Sequence, residues 1–349
     1  MPYSAPSYVL GLETTCDETA AAVVADGRVV ASSAVRTQID LHAKYGGVVP
    51  EIASRAHLEC LNAVVQEALD RSGIAPRTLS AIAVAHGPGL IGCLIIGVSA
   101  AKGFSFAWNL PLVAVNHVQA HLYSVQLHVP DAPPPAEVQF PALGLVISGG
   151  HTSLYRMDAF DALTRLGATA DDAIGEAFDK VAAILQLGHP GGPLVDKLAR
   201  AGNPHAVAFP IPLLGKESLD LSYSGLKTAV LYHVNGRQGR EKDASALSEQ
   251  QKADVAASFQ EAATQTLVIK CRRAAAQFRP RALVIGGGVS ANSAVRGKMH
   301  ALAAELSIPL FLPAPQFCTD NAAMIAGLGH LHLQANRTSS LDLEAVATM

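Results

Sequence analysis

The sequence predicts an α/β fold in which strands and helices alternate along the chain. One observation is an opening strand–turn–strand meander: apolar runs at 8–12 and 20–25 flank a polar turn, and Asp26-Gly27 is a hairpin turn into a strand at 28–32. A second observation is that this design returns at 143–156. We interpret the two meanders as an internal duplication with one copy in each of two domains, the alternative being chance similarity of short strands.

The third observation is a late strand–glycine–helix unit. A strand is predicted at 281–285, followed by Gly286-Gly287-Gly288 and a helix that begins near Ser290 or Asn292. Between the two meanders, a strand at 81–85 leads through a loop rich in glycine and proline into a helix at about 92–107. The charged segment 235–243 is predicted to be a surface loop.

The composition is that of a folded protein with room for two domains. The chain has 349 residues, of which 50% are hydrophobic and 16% charged, with a formal net charge of -3. This charge does not indicate nucleic-acid binding, although a local basic patch remains compatible with it. Its five cysteines form no CxxC pair, which argues against a disulfide framework. No targeting or membrane-spanning segment is predicted, so we expect a cytoplasmic protein.

Two histidines are the first candidates for chemistry. His117 and His121 follow a predicted strand at 111–115, and in a helix their spacing of four places both imidazoles on one face. Two neutral imidazoles on one face can bind a transition metal. The alternative for this pair is a solvated or core-packed arrangement without a ligand.

The glycine turns are the second candidates. The turns Gly149-Gly150 and 286–288 let backbone amides approach phosphate oxygens, although a single glycine turn is more often just a tight connection. Two meanders and a late strand–glycine–helix unit are typical of the actin, Hsp70 and sugar-kinase (ASKHA) superfamily, in which two ribonuclease-H-like domains enclose a central ligand cleft. On this basis we expect a first domain at 1–115 plus about 325–349, and a second at 116–324 with insertions.

Short motifs make the resemblance specific. They occur in order from residue 8 to about 330 and include GLETTCDET at 11–19, YGGVVPE at 45–51, HVQAHL at 117–122, SGGHT at 148–152, GEAFDK at 175–180, PGGP at 190–193, SGLKT at 224–228, GGVSAN at 287–292 and CTDN at 318–321. In these motifs the chain resembles the tRNA N6-adenosine threonylcarbamoyltransferase family, once classed as O-sialoglycoprotein endopeptidases.

The resemblance implies a set of site residues. The metal ligands would be His117, His121 and Asp320, holding one divalent metal per subunit, Fe²⁺ first and Zn²⁺ as the alternative. Asp320 precedes an apolar stretch, so helix capping is its alternative role. Asp17 and Glu18 are the candidates for proton handling. The implied substrate contacts are Val146, Ile147, Ser148, Gly149, Gly150, Asp179, Gly192, Asp196 and Asn292.

The resemblance also implies a reaction and partners. The threonylcarbamoyl group of threonylcarbamoyl-AMP would pass to the exocyclic amine of the adenosine 3′ of the anticodon, in tRNAs that read codons beginning with A, with release of AMP. Bacterial relatives work with a catalytically silent paralogue, TsaB, and a small ATPase, TsaE. The segments 44–57 and 53–73 are candidates for a partner-facing region of the first domain.

Three alternatives stay open at this point. A sugar-kinase-like enzyme or ATPase would share the fold, but Glu13-Thr14-Thr15 stands where such kinases usually place an aspartate and glycines. A metallopeptidase would need a glutamate after the first histidine, and Val118 is there instead. A non-catalytic scaffold is disfavoured by the retained His117, His121 and Asp320.

Overall fold

Two units make up the chain, and each is built on one five-stranded sheet. The computed structural model describes residues 6–236 and 243–348. Residues 6–137 and 313–348 belong to unit 1, and the described residues between 138 and 312 belong to unit 2. Residues 116–137 and 313–324, expected in the second domain, therefore lie in unit 1. Most of the loop predicted at 235–243 lies outside the described residues.

Strands and helices alternate as the sequence predicts. In chain order they are β1 Tyr8–Glu13, β2 Glu18–Ala25, β3 Val29–Thr37, α1 Ile39–Ala43, α2 Pro50–Ser72, β4 Leu79–Gly87, α3 Ile91–Trp108, β5 Leu112–Asn116, α4 His117–Tyr123, β6 Ala142–Ile147, β7 Thr152–Ala159, β8 Ala162–Ala168, α5 Ile174–Ile184, α6 Gly191–Ala199, α7 Ser224–Asn235, α8 Glu249–Phe278, β9 Leu283–Gly286, α9 Ser293–Leu306, β10 Leu310–Phe311 and α10 Ala322–Gln334.

The two sheets share one topology. Unit 1 has the strand order β3-β2-β1-β4-β5, and unit 2 has the order β8-β7-β6-β9-β10. In both, the first three strands in the chain are antiparallel neighbours, and the last two run parallel to the first. This confirms the α/β prediction. It also supports the interpretation of the two meanders as copies of one unit.

Local geometry explains the first meander. Asp26 and Gly27 have φ values of 49° and 73°, as a type I′ hairpin turn requires at both central positions. In β1, residues 9–13 are all buried, as expected of a central strand covered on both faces. The predicted helix at 92–107 is α3, which packs against β4 and α2.

The parallel strands position the candidate residues of unit 1. Carboxyl ends of parallel strands meet at the same sheet edge, so Glu13 at the end of β1 and His117 directly after β5 come together. Helix α10 reaches this edge because β1 has glycine at position 11. A Cβ there would overlap the Ala322 carbonyl and lie 2.7 Å from the Ala326 nitrogen, so only glycine permits this approach.

Helix α3 is the one helix of the described residues that is long and apolar enough to cross a membrane by length and composition. Only 33% of it is buried inside the structure, and core helices of soluble proteins pass the same test. Its buried residues Val98 and Ala101 face the core of unit 1.

Candidate metal centre and ligand-binding loops

The strand-to-helix junction β5–α4 presents the two histidines. Asn116 caps α4, its side chain accepting a hydrogen bond from the Gln119 backbone at 3.0 Å, so the helix begins at His117. His117 is 4% exposed and His121 is fully buried, and their ring centroids are 4.6 Å apart. In the structure both imidazoles therefore lie on one face of the helix, as the spacing predicts.

Asp320 completes a three-residue cluster. Its Oδ1 lies 3.2 Å from His121 Nε2 and 3.7 Å from His117 Nε2, and one donor atom from each residue lies within 4.8 Å of the others. Neither nitrogen of His121 has a hydrogen-bond partner within residues 6–236 and 243–348, although the ring is wholly buried. A buried imidazole that makes no hydrogen bond costs free energy unless a ligand satisfies it, so the cluster fits a transition metal.

The residue that caps helix α10 is the neighbour of Asp320, not Asp320 itself. Asn321 is the N-cap of α10, and its side chain accepts from the Met324 backbone at 3.0 Å. Asp320 is therefore not needed to start the helix.

Glu13 orients the first histidine, and sequence reasoning did not assign it this role. Its Oε2 lies 2.8 Å from His117 Nδ1, and its Oε1 accepts from the Thr15 backbone at 2.6 Å. The carboxylate can only accept, so Nδ1 carries the proton and Nε2 is left facing Asp320. Carboxylates that fix the tautomer of a ligating histidine in this way are common around metal sites.

Charge in the cluster changes the titration of His117. Burial acts to lower the pKa of this imidazole, but the carboxylates of Glu13 and Asp320 outweigh it and raise the pKa to about 9. The ring is therefore protonated at neutral pH as long as no cation is bound. A metal has to displace that proton.

The turn between β1 and β2 carries the two candidate proton-handling residues. Asp17 and Glu18 follow the buried Thr14 and Thr15. Burial raises the pKa of Glu18 to about 10, and the carboxylates of Asp320 and Asp17 act in the same direction. Glu18 thus holds a proton at neutral pH in the absence of a cation, and it lies close enough to Asp320 to feel its charge.

The predicted ligand-binding residues all lie in unit 2, around the carboxyl ends of β6 and β9. Val146 and Ile147 are fully buried in β6, so their side chains belong to the core. The next residues form a tight turn, in which Ser148 and His151 are hydrogen-bonded through their backbones at 2.8 Å and through Ser148 Oγ at 3.1 Å. Gly149 and Gly150 at its tip are exposed, leaving their backbone amides open to a ligand.

The remaining predicted contacts are already held by neighbouring groups. Asp179 Oδ1 accepts from the Gly191 backbone at 2.8 Å, beside Gly192 at the start of α6. Asp196 accepts from Ser293 Oγ at 2.6 Å and from Arg200 at 3.0 Å. Asn292 caps α9 through Oδ1.

The amide of Asn292 also points inward, donating to Gln260 Oε1 at 2.8 Å. These bonds preorganise the side chains but occupy part of their hydrogen-bonding capacity.

A cavity of about 350 Å³ in the same unit, lined by Phe209, Ser258 and Glu261 among others, contains none of the predicted residues.

Gly175 is a second residue to which sequence reasoning assigned no role, although it begins the GEAFDK motif. A Cβ at this position, in the first turn of α5, would lie 2.5 Å from the Ser148 carbonyl oxygen and 2.8 Å from Gly149 Cα. The helix therefore packs directly on the glycine turn and fixes its position.

We expect Gly175→Val to displace the 148–150 turn and raise the KM for the small-molecule substrate by about tenfold or more, since one misplaced backbone donor is worth on the order of 1.4 kcal/mol or more. Steady-state kinetics measures this. Gly297→Ala is the matched control, since a Cβ there has open space among the described residues. That variant should leave KM unchanged and stabilise α9 by roughly 0.4–1 kcal/mol. An unchanged KM in Gly175→Val would mean that the turn does not bind substrate.

Comparison with solved structures shows the fold. A HypF structure from T. kodakarensis aligns with a TM-score of 0.58 at 14% identity, covering 96% of this chain and 49% of that one. Component A of the Acidaminococcus fermentans (R)-2-hydroxyglutaryl-CoA dehydratase aligns with a TM-score of 0.51 at 14% identity, covering 94% of this chain and 99% of that one. With the two sheets described above, these likenesses confirm the predicted α/β fold.

Comparison with sequences shows the family. The TsaD model, described as tRNA N6-adenosine threonylcarbamoyltransferase, matches residues 29–327. The protein of that name from Trichlorobacter lovleyi is 49% identical over 340 residues, 97% of this chain and 96% of the relative. The one from Symbiobacterium thermophilum is 50% identical over 339 residues, 97% and 95% of the two chains. The chain therefore belongs to the tRNA N6-adenosine threonylcarbamoyltransferase family.

Proposed function

We propose that this protein transfers the threonylcarbamoyl group of threonylcarbamoyl-AMP to the exocyclic amine of the adenosine 3′ of the anticodon, in tRNAs that read codons beginning with A. The observation that carries the proposal is the cluster of the buried His117 and His121 with the half-buried Asp320, within a chain about half identical to transferases over nearly its full length. In the reaction a nitrogen–carbon bond forms, the bond from the carbamoyl carbon to the phosphate oxygen breaks, and AMP leaves. The attacking amine loses one proton.

A divalent metal, Fe²⁺ first and Zn²⁺ as the alternative, is part of the proposal. His117 Nε2, His121 and the Asp320 carboxylate would hold it, with open coordination positions left over. When bound, such a cation supplies Lewis-acid polarisation of a substrate oxygen. Glu13 keeps His117 in the tautomer that this arrangement needs.

The other residues bind, orient and move a proton. The exposed amides of Gly149 and Gly150 would donate to phosphate oxygens, while Asp179 and Asn292 would meet hydroxyl or amine groups of the adenylate. A general base must start unprotonated, and Glu18 holds its proton at neutral pH without a cation. This favours Asp17 as the acceptor of the amine proton, with Glu18 hydrogen-bonded beside it.

The nucleophile is a weak one, so orientation carries much of the catalysis. The exocyclic amine of adenine is delocalised into the ring and attacks only when held in line with the carbamoyl carbon. An adenosine in a single-stranded anticodon loop can be turned out of its stack at lower cost than one in a duplex. This favours a loop substrate over a paired one.

The experiment that tests the function is transfer to unmodified tRNA. The protein, loaded with Fe²⁺, is incubated with threonylcarbamoyl-AMP, the proposed partners and one of two transcripts that differ only in the base 3′ of the anticodon. We expect modified adenosine, detected by nucleoside mass spectrometry, in the adenosine transcript alone, and one AMP per modification. ATP turnover without tRNA and without modified product would instead favour the kinase-like or ATPase alternative.

We also propose a TsaB-like paralogue and a TsaE-like ATPase as partners of a soluble, cytoplasmic enzyme. Helices α2 and α3 pack together and expose large apolar side chains, with Leu58 67% and Ile95 50% exposed. Exposed apolar side chains on adjacent helices are typical of protein interfaces. This surface overlaps the 53–73 segment predicted to face a partner.

We expect Leu58→Glu to weaken the complex with the purified paralogue by about 30-fold or more, because a charge then has to be desolvated at the interface. Isothermal titration calorimetry measures the affinity. Tyr232→Glu, at an exposed aromatic position of unit 2, is the control and should bind as the wild type does. If the wild type, Leu58→Glu and Tyr232→Glu all bind the paralogue with equal affinity, α2 is not part of the interface.

A further inference from the structure

Three consecutive backbone carbonyls of the turn between β1 and β2 are each held by a different segment. Thr15 O accepts from the Leu90 backbone at 2.9 Å, and Asp17 O accepts from the Gln38 backbone at 3.0 Å. Between them, Cys16 O lies 2.9 Å from Nε2 of His57, on α2. The bonds to Cys16 O and Asp17 O fix the two peptide groups on either side of Asp17, and of the three donors only His57 is a side chain.

The direction of the two short hydrogen bonds of His57 can be deduced. Burial lowers the pKa of this imidazole, so the ring is neutral and carries one proton. A carbonyl can only accept, so that proton is on Nε2, and Nδ1 accepts from Thr19 Oγ1 at 2.7 Å. The Thr19 hydroxyl in turn accepts from Cys60 Sγ at 3.2 Å. The result is a chain of bonds with a single direction, from the thiol on α2 to the carbonyl of the turn.

A second histidine fixes the neighbouring segment in the same manner. The Val49 backbone donates to His42 Nδ1 at 3.3 Å, so the donor nitrogen of this ring is Nε2, which donates to Gln38 Oε1 at 3.1 Å. The Gln38 amide then donates to the Ala53 carbonyl at 3.3 Å. The exposed fractions of His42, His57 and Gln38 are all 3% or less, so water does not compete for these bonds.

We propose that His57 is a positioning residue for the transfer reaction: through Nε2 it holds the Cys16 carbonyl and thereby sets the direction in which Asp17 and Glu18 point. This inference rests on the proposed role of those two carboxyl groups. His57 does not belong to the metal cluster, and neither its ring nor Thr19 is a predicted substrate contact. Its substitution should therefore change the chemical step and leave ligand binding nearly intact.

The test compares three variants with the wild type. His57→Phe keeps a planar ring but removes both bonds, while His57→Gln can still donate to Cys16 O through its amide. Ser32→Ala is the control, because it removes a different buried hydrogen bond to α2, the 2.6 Å bond from Ser32 Oγ to the Ala68 carbonyl. We expect kcat to fall about tenfold or more in His57→Phe, with KM for tRNA and metal affinity within about twofold, and His57→Gln to recover most of the rate. Ser32→Ala should keep the wild-type kcat.

A second measurement separates this inference from the proposed function. Amide hydrogen exchange across residues 14–19 should become about tenfold faster in His57→Phe and return towards wild type in His57→Gln, while β4 stays protected. This readout needs no substrate, so it stands even if the wild type makes no product. Unchanged exchange in His57→Phe, or a wild-type kcat per folded molecule, would overturn the proposal. If His57→Phe does not fold, His57→Asn, whose amide is too short to reach the carbonyl, takes its place with the same expected results.

Discussion

His121→Ala is expected to abolish metal binding and reduce threonylcarbamoyl transfer by about 100-fold or more. Loss of an outer-shell partner alone costs roughly 10–100-fold in metal affinity or activity, and a direct ligand should cost at least as much. His121 is the cleanest position for the test, because neither ring nitrogen makes a hydrogen bond among residues 6–236 and 243–348. Its removal takes away the 3.2 Å contact with the Asp320 carboxylate, another member of the cluster.

His117→Ala would be harder to interpret. That change would leave the buried carboxylate of Glu13 without the imidazole 2.8 Å away, and an uncompensated buried charge destabilises the fold as well as the site. Asp320→Asn is the better second variant, since it removes the ligand charge at nearly constant shape.

Metal content after loading and anaerobic desalting, measured by mass spectrometry, and single-turnover transfer are the two readouts for His121→Ala. The control is His128→Ala, a histidine of unit 1 whose Nδ1 lies 3.0 Å from the Val129 carbonyl and which is outside the cluster. It should retain metal and activity. Full metal content in His121→Ala, or full transfer without metal, would remove the cluster from the mechanism.

The sequence predicts most of the fold because the repeated meander has a local origin. The Asp26-Gly27 turn, the apolar runs of β1 and β6 and the glycines after β9 are short-range signals, and the strand order follows from repeating the same unit. The spacing of His117 and His121 places both rings on one face if the segment is helical, and the structure has a helix at His117–Tyr123. The helix predicted near Ser290 or Asn292 begins at Ser293, after a short 3₁₀ turn.

The partners of the site residues could not be predicted, because they are set by sheet topology. Glu13 and His117 are 104 residues apart, and the strand β4 lies between β1, which ends at Glu13, and β5, which directly precedes His117. No local pattern indicates that contact. The capping role shows a different limit: both Asp320 and Asn321 have side chains that can cap a helix, and only the backbone geometry decides that Asn321 does so. Because Asn321 caps the helix, the Asp320 carboxylate is available to the metal cluster.

Glu13 should make metal binding strongly dependent on pH. Without a cation the carboxylates of Glu13 and Asp320 raise the pKa of His117 to about 9 against the opposing effect of burial. Below that pH each metal ion must displace one proton from His117. Above that pH the ring has already lost this proton, so metal binding releases none. The apparent metal affinity should therefore rise about tenfold per pH unit from roughly pH 7 to pH 9 and then level off. Calorimetry in two buffers of different ionisation enthalpy counts the protons released.

Glu13→Gln tests whether the Glu13 carboxylate causes this pH dependence of metal binding. Removing the nearest carboxylate lowers the pKa of His117, so fewer protons should be released at pH 7–8 and the rise in affinity with pH should flatten. The affinity above pH 9 should also fall, by about 10-fold or more, because the amide no longer fixes Nδ1–H and leaves Nε2 a weaker ligand. Glu59→Gln, at an exposed carboxylate of α2, should behave as the wild type does. A wild-type protein that releases no proton at pH 7–8 would show that His117 is neutral before the metal arrives, and the Glu13 carboxylate would then act on ring orientation alone.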